Sequence, residues 1–198
     1  VAQYFDNVEL KNPKLYSFHA HVGGKDYLLT GSDGTFSKDG LDDGSRLLLE
    51  TIIQTDLGKE ILDLGCGYGP IGLILAATDS SRHVTLSDVN LRALECAKTN
   101  AKNLGVSERV EIVASDVYHS IDSTFDTIVS NPPIRAGKSV TYEMYDLAPI
   151  HLKSGGKLII VIRKQQGAES AEAHLLSLFN KVEVVASKKG YRIIVAQK

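Results

Sequence analysis

The sequence is short of cysteine, of long apolar runs and of excess basic charge, and each shortage excludes something. Cys66 and Cys96 are the only cysteines, too few for a disulfide framework or a structural zinc site. No apolar stretch approaches the roughly 18 residues of a membrane-spanning helix, and the first residues are too polar for a signal peptide. The six histidines lack ligand-like spacing, so no metal is expected. These absences together predict a reduced, cytoplasmic protein with no membrane association. The net charge is −2, whereas binding to nucleic acid by backbone neutralisation alone goes with a basic excess. Any contact with nucleic acid must then rest on local basic clusters.

What is present suits one compact domain of 198 residues, 43% hydrophobic and 23% charged, without repeats or low-complexity linkers. Residues 1–43 differ in character from residues 44–198. Tyr16–His21 and Lys25–Leu29 have strand composition around Val22-Gly23-Gly24, which predicts a β-hairpin. A turn-rich stretch, Gly31–Gly40, leads into a helical run through Leu47–Ile53. From residue 60 strands and helices alternate. Strands are predicted at 60–64, 83–87, 110–113, 125–129, 156–162, 182–185 and 191–195. Helices are predicted at 71–77, at 90–103 with Asn90 as N-cap, at 139–151 and at 168–179. Such alternation predicts an α/β fold: a Rossmann-like, doubly wound, seven-stranded and mostly parallel sheet. The last two strands are joined too closely for a helix, so the final strand is predicted antiparallel. Ligands of such sheets bind beyond the carboxyl ends of the strands.

The first core strand ends in Asp63-Leu-Gly-Cys-Gly-Tyr-Gly69. Gly65, Gly67 and Gly69 remove side chains where a ligand must approach the backbone, and Cys66 keeps the loop small. Pro70 stands where the dinucleotide fingerprint has its third glycine, so the loop is not that motif. Asp88 ends the second core strand and Asp116 follows the third. Three carboxylates at three successive strand ends would repel a pyrophosphate. They suit a cofactor with an ammonium, a sulfonium, a ribose and an adenine, which is S-adenosylmethionine.

After the fourth core strand comes Ser130-Asn-Pro-Pro-Ile-Arg135. Two prolines cannot continue a central strand, so the chain must turn out at the ligand edge. Proline fixes its backbone, which holds the Pro132 carbonyl rigidly, and Asn131 adds a side-chain carbonyl. An exocyclic amine needs such a pair, because its lone pair is delocalised into the ring. Hydrogen bonds accepted from its two N–H groups favour the pyramidal amine of the transition state.

These motifs, Asp63–Gly69, Asp88, Asp116 and Asn131-Pro-Pro-Ile134, resemble those of class I methyltransferases. Phe36-Ser-Lys-Asp-Gly-Leu-Asp-Asp-Gly-Ser-Arg-Leu-Leu-Leu49 narrows the resemblance to the RsmC-like family of small-subunit ribosomal RNA guanine-N2 methyltransferases, in single-domain form. The resemblance implies that Asp63, Gly65, Cys66 and Gly67 cradle the methionine part of the cofactor. It implies that Asp88 with Val89 holds the ribose, that Asp116 with Val117 lies at the adenine, and that the loop around Phe36 covers the cofactor. Asn131, Pro132 and Pro133 are implied to be catalytic, with Asn131 touching both target amine and cofactor. Ile134 departs from the family, where many members place a Tyr or Phe that stacks on the base. The ribosomal enzymes also carry an amino-terminal domain with no counterpart in these residues, so recognition by that route is not expected.

Arg135 and Lys138 follow the catalytic turn and are the expected contacts to RNA. Arg163, Lys164, Lys188, Lys189 and Arg192 lie at later strand ends or turns, where solvated surface charge is an equally good reading. The predicted activity is therefore methyl transfer to an exocyclic base amine of RNA, with guanine N2 of rRNA as target. A protein glutamine amide or a small molecule is an alternative acceptor, since the same turn suits any planar amide. A non-catalytic RNA-binding or assembly factor is the third reading, against which the carboxylates count.

Overall fold

The computed structural model describes residues 14–32, 40–132 and 137–198. Strands β1 (Leu15–Val22) and β2 (Lys25–Ser32) form an antiparallel hairpin closed by Gly23 and Gly24. Both glycines take positive φ, as a two-residue hairpin turn demands. Helix α1 (Asp43–Ile52) leads to β3 (Glu60–Leu64), α2 (Pro70–Thr78), β4 (His83–Asp88), α3 (Leu91–Asn103), β5 (Val110–Ala114) and β6 (Phe125–Ser130). Helix α4 (Lys138–His151), β7 (Leu152–Arg163), α5 (Ala168–Leu178), β8 (Lys181–Lys188) and β9 (Tyr191–Gln197) complete the chain.

Seven strands form one sheet in the order β5-β4-β3-β6-β7-β9-β8. The pairs from β5 to β7 are parallel, and β9 runs antiparallel to both neighbours. The expected sheet is borne out, including its antiparallel last strand and the amino-terminal hairpin. The chain builds outward from β3 in one direction through β4 and β5, then returns to build the other way through β6 and β7. The switch point falls between β3 and β6, where open α/β sheets place their ligands.

Apolar residues fill both faces. Leu48, Leu49, Ile71, Leu73, Ile74 and Leu94 of α1–α3 pack on one face, and Met144, Tyr145, Ala148, Ala171 and Leu175 of α4 and α5 on the other. The β3 run Ile61-Leu62-Asp63-Leu64 is buried throughout, as a strand covered on both sides must be. Asn90 caps α3 as predicted, its side chain accepting from the backbone N–H of Arg92 and Ala93.

The hairpin shares this core through Ala20, Val22, Tyr27 and Leu29. Asn100, fully buried on α3, joins it to the glycine loop. Its side chain accepts from Thr30 N–H at 2.7 Å and donates to Thr30 O at 2.9 Å and Tyr68 O at 3.0 Å. An amide that satisfies three buried backbone groups far apart in sequence is a fixed joint between elements.

The largest difference from expectation is β7, predicted from Gly156 but beginning at Leu152. It pairs with β6 at Phe125↔Leu152, then resumes at Thr127↔Lys157 after a bulge. Gly155 takes φ +72 within that bulge, so the hydrophobic pattern registers only the strand beyond it. No helix among the described residues is long and apolar enough to cross a membrane.

Candidate active site

The glycine loop after β3 is held from below. Gly65 and Cys66 donate their N–H groups to Ser87 O at 2.8 and 2.9 Å. Gly65, Gly67 and Gly69 all have φ between +59 and +83, a region that costs other residues strain. Asp88, buried at the end of β4, accepts the Gly67 N–H on Oδ2 at 2.8 Å and the Asn90 N–H on Oδ1 at 2.8 Å. One carboxylate thus fixes both the loop and the start of α3.

Asp63 sits one layer deeper than the sequence motif suggests. Its side chain is 1% exposed, and Oδ2 accepts from Gly72 N–H at 2.8 Å in the first turn of α2. Oδ1 is buried with no hydrogen-bond partner. Burial pushes the carboxyl up to about 7, against the Gly72 hydrogen bond and with help from neighbouring Asp88. A buried carboxylate with a spare oxygen is a good receptor for a cation or N–H donor, and Ser87 Oγ is likewise buried and unpaired.

Beyond the strand ends lies a small cavity lined by Leu64, Gly65, Ser87, Asp88, Val89, Ser115, Asp116, Val117, Val140 and Met144. Asp116 is exposed at its mouth. Val117 stands at φ +48, a rare conformation for a β-branched residue. The turn is held by Ser115, whose hydroxyl donates to Val117 O and accepts from Ser120 N–H, each at 3.0 Å. A lining of acidic and hydroxyl groups together with valine, leucine and methionine fits a molecule with a ribose and a flat apolar base. Gly65, Asp88, Val89, Asp116 and Val117, all named from sequence, line this one cavity. Cys66 is buried, its Sγ donating to Gly67 O at 3.4 Å, and does not line the cavity.

A second cavity of about 270 Å³ adjoins the other face of α4. Asn131 and Pro132 line it beside Lys138, Thr141, Tyr142 and Tyr145 of α4, with Arg163, Gln166 and Tyr191 beyond. The Tyr145 hydroxyl is buried without a partner, and burial raises its pKa well above the ordinary value, so it stays protonated as a donor. The exposed Lys138 ammonium lies 5.0 Å from the Tyr142 ring centroid. Arg163 Nε donates to the Tyr191 hydroxyl at 2.8 Å. The Asn131 amide nitrogen donates to Asp42 Oδ1 at 3.1 Å and to Ser45 Oγ at 3.0 Å.

Tyr145, Tyr191, Asp42 and Ser45 are the site residues that sequence reasoning missed. Asp42 was readable as an N-cap, which it is, accepting from Ser45 N–H at 2.9 Å; its second partner was not readable. Phe36, Pro133, Ile134 and Arg135, all named from sequence, lie outside the described residues.

Residues 26–195 match the methyltransferase small domain family model. YbxB of Bacillus subtilis, described as an uncharacterized protein, is 46% identical over 94% of this chain and 92% of its own length. Ribosomal RNA small subunit methyltransferase C of Haemophilus influenzae is 39% identical over 77% of this chain but 46% of its own length. Among solved structures, the T. thermophilus 16S rRNA N2 G1207 methyltransferase (RsmC), in complex with AdoMet and guanosine, superposes with a TM-score of 0.83 at 25% identity. That match covers 93% of this chain and 50% of the other. The chain thus spans about half the length of the ribosomal RNA methyltransferases it matches.

Proposed function

The chain belongs to the methyltransferase small domain family, with S-adenosylmethionine as methyl donor, and from that premise we propose that it methylates an exocyclic base amine of RNA, guanine N2 in ribosomal RNA. The observation that carries this reading is the placement of Asn131 and Pro132 in the wall of a base-sized cavity, directly after β6, the strand that pairs with β3 and its glycine loop. The relatives named as ribosomal RNA small subunit methyltransferases support RNA as the acceptor class. The structural neighbour described with guanosine supports guanine.

S-adenosylmethionine bound at the strand ends supplies a methyl group activated by its sulfonium. Asp63 and Ser87 would offer unpaired oxygens to its polar end, Asp88 and Asp116 would hold the ribose and adenine, and Val89 and Val117 would supply apolar walls. In the second cavity the Asn131 side-chain carbonyl and the Pro132 backbone carbonyl accept the two N–H groups of the target amine. That stabilises the pyramidal nitrogen on which positive charge develops and holds it in line for attack. Transfer would form the nitrogen–methyl bond as the sulfonium–methyl bond breaks, with a neutral thioether as leaving group, and the aminium product would give one proton to solvent, so no side-chain base is required. The Tyr145 hydroxyl donates to the base, and Lys138, Arg163 and Lys164 meet phosphates at the rim.

Incubating the protein with labelled S-adenosylmethionine and unmodified 16S rRNA transcript tests this. Digestion to nucleosides is expected to place the label in N2-methylguanosine. Label confined to protein in a whole-cell extract, with none in RNA, sinks the proposal.

Asp63 adds a pH dependence. Its folded pKa of about 7 lies above the ordinary carboxylate value, so the proton is bound below pH 7 and lost above it. A cationic ligand binds the ionised form, so affinity is full above about pH 7 and falls as pH drops through that value, by up to about tenfold per unit. Calorimetric titration with S-adenosylmethionine between pH 7.5 and 5.5 should show this slope, and Asp63→Asn should flatten it. A pH-independent affinity in the wild-type protein removes Asp63 from the cofactor site.

A further inference from the structure

We propose that Asp42 is a positioning residue for methyl transfer, whose carboxylate fixes which way round the Asn131 amide sits. The inference rests on Asn131 accepting a hydrogen bond from the target amine, and it explains how that acceptor is presented.

The two ends of an asparagine amide are nearly equal in size, so shape alone leaves its orientation undetermined. Chemistry around Asn131 decides it. Its nitrogen lies 3.1 Å from Asp42 Oδ1 and 3.0 Å from Ser45 Oγ. An ionised carboxylate can only accept, so the NH2 end must face Asp42. Turned over, the amide would set its carbonyl oxygen against a carboxylate oxygen at the same distance, a repulsive contact in a half-buried place. Ser45 can donate or accept and therefore fits either orientation. The choice belongs to Asp42.

With both N–H groups of Asn131 spent on Asp42 and Ser45, its carbonyl oxygen is left for the cavity that Asn131 lines. Asp42 is itself immobilised. Oδ1, the oxygen that meets Asn131, also accepts the Ser45 N–H at 2.9 Å, and its backbone carbonyl accepts from Arg46 N–H at 2.9 Å. The start of α1 is thereby wired to the residue that follows β6, 89 residues later in the chain. Capping α1 needs only an oxygen-bearing side chain, which serine supplies equally well; orienting Asn131 needs an oxygen with no hydrogen of its own to donate.

That difference provides the test. Asp42→Ser keeps the cap but sets there a hydroxyl that can donate or accept, so it no longer decides which end of the Asn131 amide faces it. Asp42→Asn keeps an oxygen in place for both partners. In the unliganded protein, the side-chain amide resonances of Asn131, assigned by their loss in Asn131→Ala, should shift in Asp42→Ser and stay near wild type in Asp42→Asn. With labelled S-adenosylmethionine and unmodified 16S rRNA transcript, Asp42→Ser should lower kcat about tenfold or more with both KM values within about threefold. Asp42→Asn should stay within about threefold of wild type in kcat. Unchanged amide resonances together with wild-type kcat in Asp42→Ser overturn the proposal, provided Asn131→Ala is inactive. Full activity in Asn131→Ala instead overturns the reading of the site on which it rests. If Asp42→Ser melts well below wild type, Asp42→Thr, with the same kind of hydroxyl, carries the same two expectations.

Discussion

Replacing Asn131 by alanine lowers the rate of methyl transfer by about a hundredfold or more and leaves S-adenosylmethionine affinity within about threefold. Removing a single preorganised partner of a charge that develops in the transition state costs about 10²–10³ in kcat, and Asn131 is such a partner in the proposed mechanism. The fold should tolerate the change. Asn131 is only half buried, its truncation leaves Asp42 Oδ1 still bonded to Ser45 N–H, and the Ser45 hydroxyl can rotate to that same carboxylate. Single-turnover transfer to unmodified 16S rRNA transcript measures the rate, and calorimetry measures cofactor affinity. A variant with wild-type single-turnover rate removes Asn131 from the chemistry. A variant that loses rate and cofactor affinity together assigns it to holding the donor instead. Asn131→Asp is a sharper companion, since it keeps the shape but sets a second carboxylate 3 Å from Asp42. It should also lose transfer, because the ionised pair repels and one of the two groups must take up a proton or swing away.

The strand ends were legible from sequence because everything that makes them is local. Apolar runs such as Ile61–Leu64 announce a buried strand, glycines announce the loop, and Asp88 and Asp116 each stand next to the strand they terminate. The end of β6 at Ser130 was legible for the same reason, since the proline that follows cannot extend a central strand. What stayed hidden depends on residues far apart in the chain. Tyr191 opens β9, and β9 inserts between β7 and β8, which carries its ring to the second cavity across from α4. Asp42 meets Asn131 only because the fold sets the start of α1 against the residue that follows β6. Asp63 was half legible: its motif marks the cofactor loop, but the alternation of side chains along β3 sends its carboxylate inward to Gly72, so its spare oxygen could not be inferred. Val117 shows no sequence mark of its φ of +48; only Ser115 folded over it reveals the constraint.

These two kinds of information meet at Asp88, where the second large effect is expected. Asp88→Ala should weaken S-adenosylmethionine binding by about a hundredfold and lower stability by a few kcal/mol. The stability loss follows from two backbone donors. Gly67 N–H and Asn90 N–H each give a hydrogen bond of 2.8 Å to this carboxylate, and Asp88 is 4% exposed. Hydrogen bonds to charged groups contribute about 1.5–3 kcal/mol, and a buried donor left unpaired costs about 1–3 kcal/mol. The binding loss is larger than that of a single ribose contact, because the glycine loop is anchored to β4 through Gly67 and relaxes when the anchor goes. Asp88→Asn separates the two contributions. An amide fits the same volume, yet one of its ends is NH2, which cannot accept from a backbone N–H. One of the two anchors must therefore fail even in this near-isosteric change, and its cost should be close to half that of alanine. Thermal melts with and without S-adenosylmethionine read both quantities at once. The melting temperature of the unliganded protein reports the lost backbone bonds, and the rise on adding cofactor, set by ligand concentration over Kd, reports the binding. An Asp88→Ala protein that melts low but gains as many degrees from cofactor as wild type would confine Asp88 to a structural role, with the ribose held by other groups.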